Sequence, residues 1–261
     1  MKTLLKNLLL SFLLFLGNNV ISGTIDPNTP DEKYIEYGKK FDCILEIMGS
    51  YEKTKQTFSA SAVAIDPHWA LTAAHVVDGA RFAFLYDEKK KKAILIEEII
   101  RHEDFEEKRF GFSDIALCYI KSDIGIESYP ELYDENQELN KICSISGYGQ
   151  TGTFITGIKG GDGKRRAGLN RIDRIENDLL ICTPSISDRT ELEFLIGSGD
   201  SGGGLFIDNK LAGINSCVTA IDKKPNSTYN DDGGHTRISN FVGWIKENMQ
   251  RKREQTKGPL P

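Results

Sequence analysis

The chain has 261 residues, of which 39% are hydrophobic and 27% charged, so it holds enough apolar material for a sizeable core. Its 33 Lys and Arg against 38 Asp and Glu leave a net charge of -5, a modest acidic balance that argues against nucleic acid as the main partner. With only four histidines and no Cys-x-x-Cys pair, the sequence calls for no metal and no cofactor.

Taken from the N-terminus, Lys2 and Lys6 precede an apolar run, 8–16, that is well short of the roughly 20 residues of a spanning helix. A basic region followed by a short apolar one reads as a secretory signal over 1–22. Cleavage fits after Ser22, or as early as after Asn19. The expected location is therefore secreted or periplasmic, with no membrane association once the signal is removed.

Beyond residue 40 the pattern is short and strand-like. Candidate strands are 43–47, 60–65, 80–86, 93–100, 115–120, 142–146, 179–182, 205–207 and 211–215, with turn-prone clusters between them. That recurrence predicts an all-β sandwich or barrel. The charge run 89–92 reads as a solvated loop tip. Segment 127–141, rich in Pro, Tyr, Asp, Glu and Asn, is the candidate connection between a first half, about 23–126, and a second, about 142–239. The glycine-rich stretch 147–168 reads as a mobile surface loop, and 160–164 lacks phosphate-loop spacing. Phe241, Val242, Trp244 and Ile245 fall at helical spacing and predict a closing helix over 240–249, followed by a flexible tail, 250–261. Asn226-Ser227-Thr228 is a glycosylation sequon where the source glycosylates. The five cysteines, Cys43, Cys118, Cys143, Cys182 and Cys217, are odd in number, so at least one has no partner within the chain. Cys118, in an apolar run, is expected to be a buried small hydrophobe.

Three separated segments carry the chemistry. Leu71-Thr72-Ala73-Ala74-His75 supplies a base, Ser113-Asp114-Ile115-Ala116-Leu117 a carboxylate, and Gly199-Asp200-Ser201-Gly202-Gly203 a hydroxyl nucleophile. A free hydroxyl attacks a carbonyl poorly at neutral pH, so Ser201 needs His75 to take its proton, and Asp114 to fix the ring tautomer. The backbone N–H groups of Gly199 and Ser201 are candidates for an oxyanion hole. The same pentapeptide also satisfies Gly-x-Ser-x-Gly, the nucleophile elbow of α/β-hydrolases. That fold needs a helix after the serine and a downstream acid and histidine. Here three glycines follow, then Leu205-Phe206-Ile207, and only His235 lies downstream. The order His, Asp, Ser argues for a different scaffold.

On these motifs the chain resembles the trypsin/chymotrypsin-like serine endopeptidases, as a cysteine-poor member of bacterial type. Ser144-Ile145-Ser146-Gly147-Tyr148-Gly149, Arg101-His102-Glu103-Asp104-Phe105 and Phe241-Val242-Gly243-Trp244-Ile245 extend the likeness, which runs from about Val20 to Met249. The resemblance implies two six-stranded antiparallel Greek-key barrels and a C-terminal helix, with the site between the barrels. It implies cleavage of polypeptide substrates through an acyl-enzyme. It also places a substrate-pairing strand at Ser216-Cys217-Val218, where Val218 replaces the usual glycine and would narrow the primary pocket. Leu195 stands at the pocket base where trypsin-like members carry an aspartate, so basic P1 side chains find no counter-charge. A small or medium apolar P1 residue is expected; His235, near the rear wall, is read as a satisfied structural side chain, though it leaves an acidic P1 open. The family bridge beside the catalytic histidine is missing, since Val76 follows His75, and Ile207 stands at the usual partner position of Cys143. Val20-Ile21-Ser22-Gly23 resembles the family's activated N-terminus, whose ammonium would pair with Asp200. A catalytically silent homologue acting as a binding module, and an esterase on the same fold, are the alternative functions.

Overall fold

A computed structural model describes residues 23–109 and 111–257; the signal-like segment with Val20, Phe110 and 258–261 lie outside the described residues. β1 (Thr24–Ile25) is followed by α1 (Asp31–Gly38). The first barrel comprises β2 (Ile44–Tyr51), β3 (Thr57–Asp66), β4 (Trp69–Thr72), β5 (Ala80–Asp87), β6 (Lys92–Leu95), β7 (Glu98–Arg101) and β8 (Ala116–Tyr119), with the single-turn helix α2 (Ala74–Val77) after β4. Its sheet order is β6-β5-β2-β3-β4-β8-β7. β5 shows why these residues form strands: Ala83, Leu85 and Asp87 alternate inward with more exposed neighbours, the period of a pleated sheet.

The two edges of this sheet are consecutive in sequence. Segment 93–100, expected as one strand, bends at Ile96 and Glu97 and pairs in both directions. Ile96 N–H donates to Ala83 O at 3.1 Å and Glu97 N–H to Tyr119 O at 2.9 Å. The seven strand segments are therefore six strands, and the bent one closes the sheet into a barrel.

The second barrel comprises β9 (Ile142–Gly147), β12 (Arg166–Arg171), β13 (Arg174–Glu176), β14 (Leu179–Cys182), β16 (Gly204–Ile207), β17 (Lys210–Ala220) and β18 (Asp231–Arg237). Its order, β12-β9-β16-β17-β18-β14-β13, again puts two halves of one bent strand, β12 and β13, at opposite edges. Here Ile172 N–H donates to Lys141 O at 3.0 Å and Asp173 N–H to Ile181 O at 2.9 Å.

Two expectations need correcting. Stretch 147–168 is ordered. β10 (Thr151–Thr153) and β11 (Gly157–Gly160) form a small sheet with β1 and β15 (Phe194–Leu195), and part of β12 follows. High glycine content here serves close strand packing instead of mobility. The closing helix, α3 (Val242–Lys257), runs well into the segment expected as a tail. Its added turns are rich in Lys, Arg, Gln and Glu, good helix formers, and Lys252 and Arg253 reach Glu98 and Asp66 at 2.5 and 2.9 Å on the first barrel. Ile245 is fully buried, and Trp244 and Met249 pack partly buried against the core of that barrel.

The connection between the sheets is tied down by charge. Glu138 has a side chain 0% exposed, and Arg237, 15% exposed, donates to both its oxygens at 2.8 Å. Ser239 Oγ–H adds a third bond at 2.8 Å. Burial alone would raise the Glu138 carboxyl, but Arg237 and Ser239 outweigh it and hold it below the usual range. Arg237→Met leaves that carboxylate uncompensated and is expected to cost about 3–5 kcal/mol at neutral pH, measured by urea unfolding. Because the folded-state pKa is depressed, the difference from wild type shrinks as pH falls through it.

Candidate active site

β4 and β8 set the geometry of the first two residues. Thr72 pairs with Ala116 across these antiparallel strands, so the chain leaving β4 and the chain entering β8 meet at the same barrel end. His75, on α2, comes just after β4; Asp114 comes just before β8. Ser113 takes φ +46, and Ile115 N–H donates back to Ser113 O at 2.9 Å, which puts Asp114 at the apex of a three-residue turn. The His75 N–H donates to Asp114 Oδ1 at 2.9 Å, and the ring Nδ1 lies 2.7 Å from Oδ2. A carboxylate only accepts, so Nδ1 carries the proton and Nε2 keeps its lone pair. The Asp114 side chain is 3% exposed and that of His75 39%, so the carboxylate is enclosed while the ring stays partly open to solvent.

The second barrel completes the enclosure. The β17–β18 ladder slips register between Asn215 and Cys217, a bulge that re-aims Ser216. Its Oγ–H donates to Asp114 Oδ2 at 2.6 Å, and Thr236 Oγ1–H donates to Asp114 O at 3.0 Å. Burial would raise the Asp114 carboxyl; the bonds from His75 and Ser216 outweigh it and hold it below the ordinary range.

Ser201 lies on the turn between β15 and β16. Ser61 of β3, on the other barrel, holds this turn: its N–H donates to Ser201 O at 2.9 Å and its Oγ–H to Gly199 O at 2.9 Å. Gly202, at φ +83, sits directly on Thr72 and Ala73, where a Cβ would come within 2.1 Å of Thr72 Oγ1. Only glycine permits that approach, and it sets Ser201 beside the segment carrying His75. Ser201 Oγ makes no hydrogen bond to the ring among the described residues; such contacts commonly tighten only when substrate is bound. The N–H groups of Gly199 and Ser201 donate to no acceptor among the described residues. Asp200 is fully buried, and its carboxylate accepts from Gly149 N–H at 2.9 Å and Gly197 N–H at 2.8 Å. A Cβ on Gly149 would lie 2.5 Å from Asp200, which explains the glycine in that motif.

Leu195, 1% exposed, pairs with Thr24 and lies close to Gly233, and Val218 is partly buried opposite the same glycine. His235 is fully buried, with its Nδ1 2.8 Å from Asn215 Oδ1 and its Nε2 without a hydrogen-bond partner among the described residues. Ser61 and Asn215 went unnoticed in the sequence; the signal was a polar residue inside each of two apolar strands. All five cysteines are free and buried, Cys143 Sγ and Cys182 Sγ lying 3.8 Å apart. Among the described residues no three His, Cys, Asp or Glu side chains gather to hold a metal. A groove of about 620 Å³ lined by Asp42, Tyr148 and Arg165 includes none of His75, Asp114 and Ser201.

Ser216→Ala removes one donor from the buried carboxylate. It is expected to cost about 1.5–3 kcal/mol at neutral pH by urea unfolding. Asp114 has a depressed pKa, so its contribution is present above the unfolded value and is lost as pH falls through the folded one; the deficit of the variant fades over the same window.

A family model described as Trypsin matches residues 45–245. Kallikrein-1 of Mus musculus is 26% identical, with 91% of this chain and 97% of the relative covered. Urokinase-type plasminogen activator of Gallus gallus is 28% identical over 74% of this chain and 51% of its own length. The solved structure of HL collagenase superposes with a TM-score of 0.68 at 20% identity, covering 88% of this chain and 99% of its own, a likeness of fold. The chain belongs to the trypsin family and is, by class, a serine-type endopeptidase.

Proposed function

We propose that the protein is an exported endopeptidase in which Ser201 attacks the scissile carbonyl, His75 is general base and then general acid, and Asp114 orients and stabilises the imidazolium. The observation that carries this reading is the His75–Asp114 pair at 2.7 Å, closed over by Ser216, beside a nucleophile turn clamped by Ser61. His75 Nε2 accepts the Ser201 proton as the oxygen adds to the carbonyl. The developing oxyanion falls to the N–H groups of Gly199 and Ser201, which donate to no other acceptor among the described residues. His75 returns the proton to the leaving amine, and water then repeats the sequence on the acyl-enzyme.

Leu195 at the pocket base offers no counter-charge to Lys or Arg, and Val218 narrows the entrance, so a small or medium apolar P1 residue is favoured. Ser216-Cys217-Val218 would receive the substrate as an added strand. Export rests on the reading of 1–22. Activation rests on Val20: a cut after Asn19 would free an ammonium to join the buried Asp200 carboxylate and order the turn before Ser201.

Three measurements test this. A fluorophosphonate is expected to place a single adduct on Ser201 by peptide mapping, with none on Ser201→Ala. Asp114→Asn should lower kcat about 10⁴-fold. Absence of labelling on folded protein would favour the binding-module reading. N-terminal sequencing of the active protein is expected to begin at Val20; full activity from another start would overturn the activation scheme.

A further inference from the structure

Every carbonyl of the turn from Gly197 to Ser201 is held. Gly197 O accepts from Asp200 N–H at 3.0 Å and Ser198 O from Gln150 N–H at 2.5 Å. Asp200 O accepts from Gly203 N–H at 2.9 Å and from Asn215 Nδ2–H at 3.1 Å, and Ser201 O from Ser61 N–H at 2.9 Å. Gly199 O differs from these. Its one partner among the described residues is a side chain, Ser61 Oγ–H at 2.9 Å. The sense of that bond is fixed, because Tyr148 N–H donates to the same Oγ at 2.9 Å and leaves the hydroxyl proton for Gly199 O. Ser61 is fully buried, so bulk water does not stand in for its hydroxyl.

The position of this bond matters for the hole assigned to Gly199 and Ser201. A planar peptide unit carries the carbonyl of one residue and the N–H of the next. The two N–H groups of the hole therefore lie on separate planes, one shared with Ser198 O and the other with Asp200 O. Gln150 holds the first plane, and Gly203 and Asn215 hold the second. Between them lies the plane of Gly199 O, which sets the angle at which the two N–H groups meet. It follows a glycine at φ +92, where no Cβ restrains the chain. That middle plane is the one the Ser61 hydroxyl grips. Any residue at position 61 could supply the backbone N–H to Ser201 O, but only a hydroxyl side chain supplies this bond.

Resting on the endopeptidase reading above, we propose that Ser61 is a positioning residue of the oxyanion hole. From the first barrel its hydroxyl fixes the middle peptide plane, so that the Gly199 and Ser201 N–H groups converge on one oxygen. The same hydroxyl ties in Tyr148, two residues before the Gln150 N–H that holds the first plane. Ser61 acts through these groups and touches no substrate atom. Its effect belongs to the transition state, where the oxygen gains its charge.

The test uses the active mature protein, its sites counted with fluorophosphonate. Ser61→Ala is expected to lower kcat per labelled site about 10- to 100-fold with KM within about twofold, a smaller loss than removal of a whole oxyanion donor. A peptidyl trifluoromethyl ketone gives a second readout: Ser201 Oγ adds to its carbonyl carbon, the proton passes to His75, and the ketone oxygen enters the hole. Its Ki should rise by the factor by which kcat falls, while the Ki of the matching peptide amide stays unchanged. Ser61→Thr and Ser61→Val share a shape and differ in the hydroxyl. The first should keep kcat within about threefold of wild type, and the second should lose it as Ser61→Ala does. Arg237→Met serves as the comparison for a purely structural loss, with fewer labelled sites but unchanged kcat per site. If Ser61→Ala behaves like Arg237→Met, if the Thr and Val variants match each other, or if none of the three folds, the inference is overturned and the endopeptidase reading stands. Wild-type protein that neither takes the label nor cleaves peptides overturns both.

Discussion

The carboxylate of Asp114 is held by two barrels at once, and the rest of the site depends on that shared grip. His75 reaches it from the first barrel through backbone and ring, and Ser216 from the second through its hydroxyl. Thr236, on the neighbouring strand, bonds the Asp114 carbonyl. An enclosed carboxylate would be costly alone; here three donors outweigh the burial, and the grip on it loosens if the barrels part. The same contact that keeps Asp114 ionised therefore registers the two halves of the molecule.

Ser61 performs the reciprocal task. It extends from a strand of the first barrel into the second, where it bonds the carbonyls on either side of Asp200 and accepts from Tyr148 N–H at 2.9 Å. Each barrel is rigid because its sheet closes on itself through a bent strand. Rigid bodies transmit position well, so a few hydrogen bonds across the seam suffice to set the Ser201 turn beside the segment that carries His75.

Much of this was legible in the sequence, and for physical reasons. His75, Asp114 and Ser201 lie in short motifs whose neighbours have local tasks: Gly202 must clear Thr72, and Gly149 must clear Asp200. Such constraints act between residues whose types a sequence displays openly. Ser61 and Asn215 were not legible, because their partners lie across the barrel seam or in a facing loop. Strand alternation does not say what an inward polar residue will meet. The ordered stretch 147–168 was misread because glycine signals both freedom and close packing, and only the partner strand distinguishes them. The bend at Ile96 and Glu97 was hidden for a related reason: an apolar run carries no mark of a change of partner.

The five buried thiols bear on how long such a molecule lasts. Cys43 and Cys118 are pushed up to about 12 and Cys217 to about 11 by burial, so none of these three is poised as a thiolate for exchange. With every cysteine free, no covalent staple keeps a nicked or opened barrel together. An endopeptidase works among its own copies, each able to cut another. Its lifetime there rests on how rarely the two closed barrels open, because only an opened strand can enter another copy's cleft. Strand closure then serves as the defence against self-digestion, a task that cross-links would otherwise share.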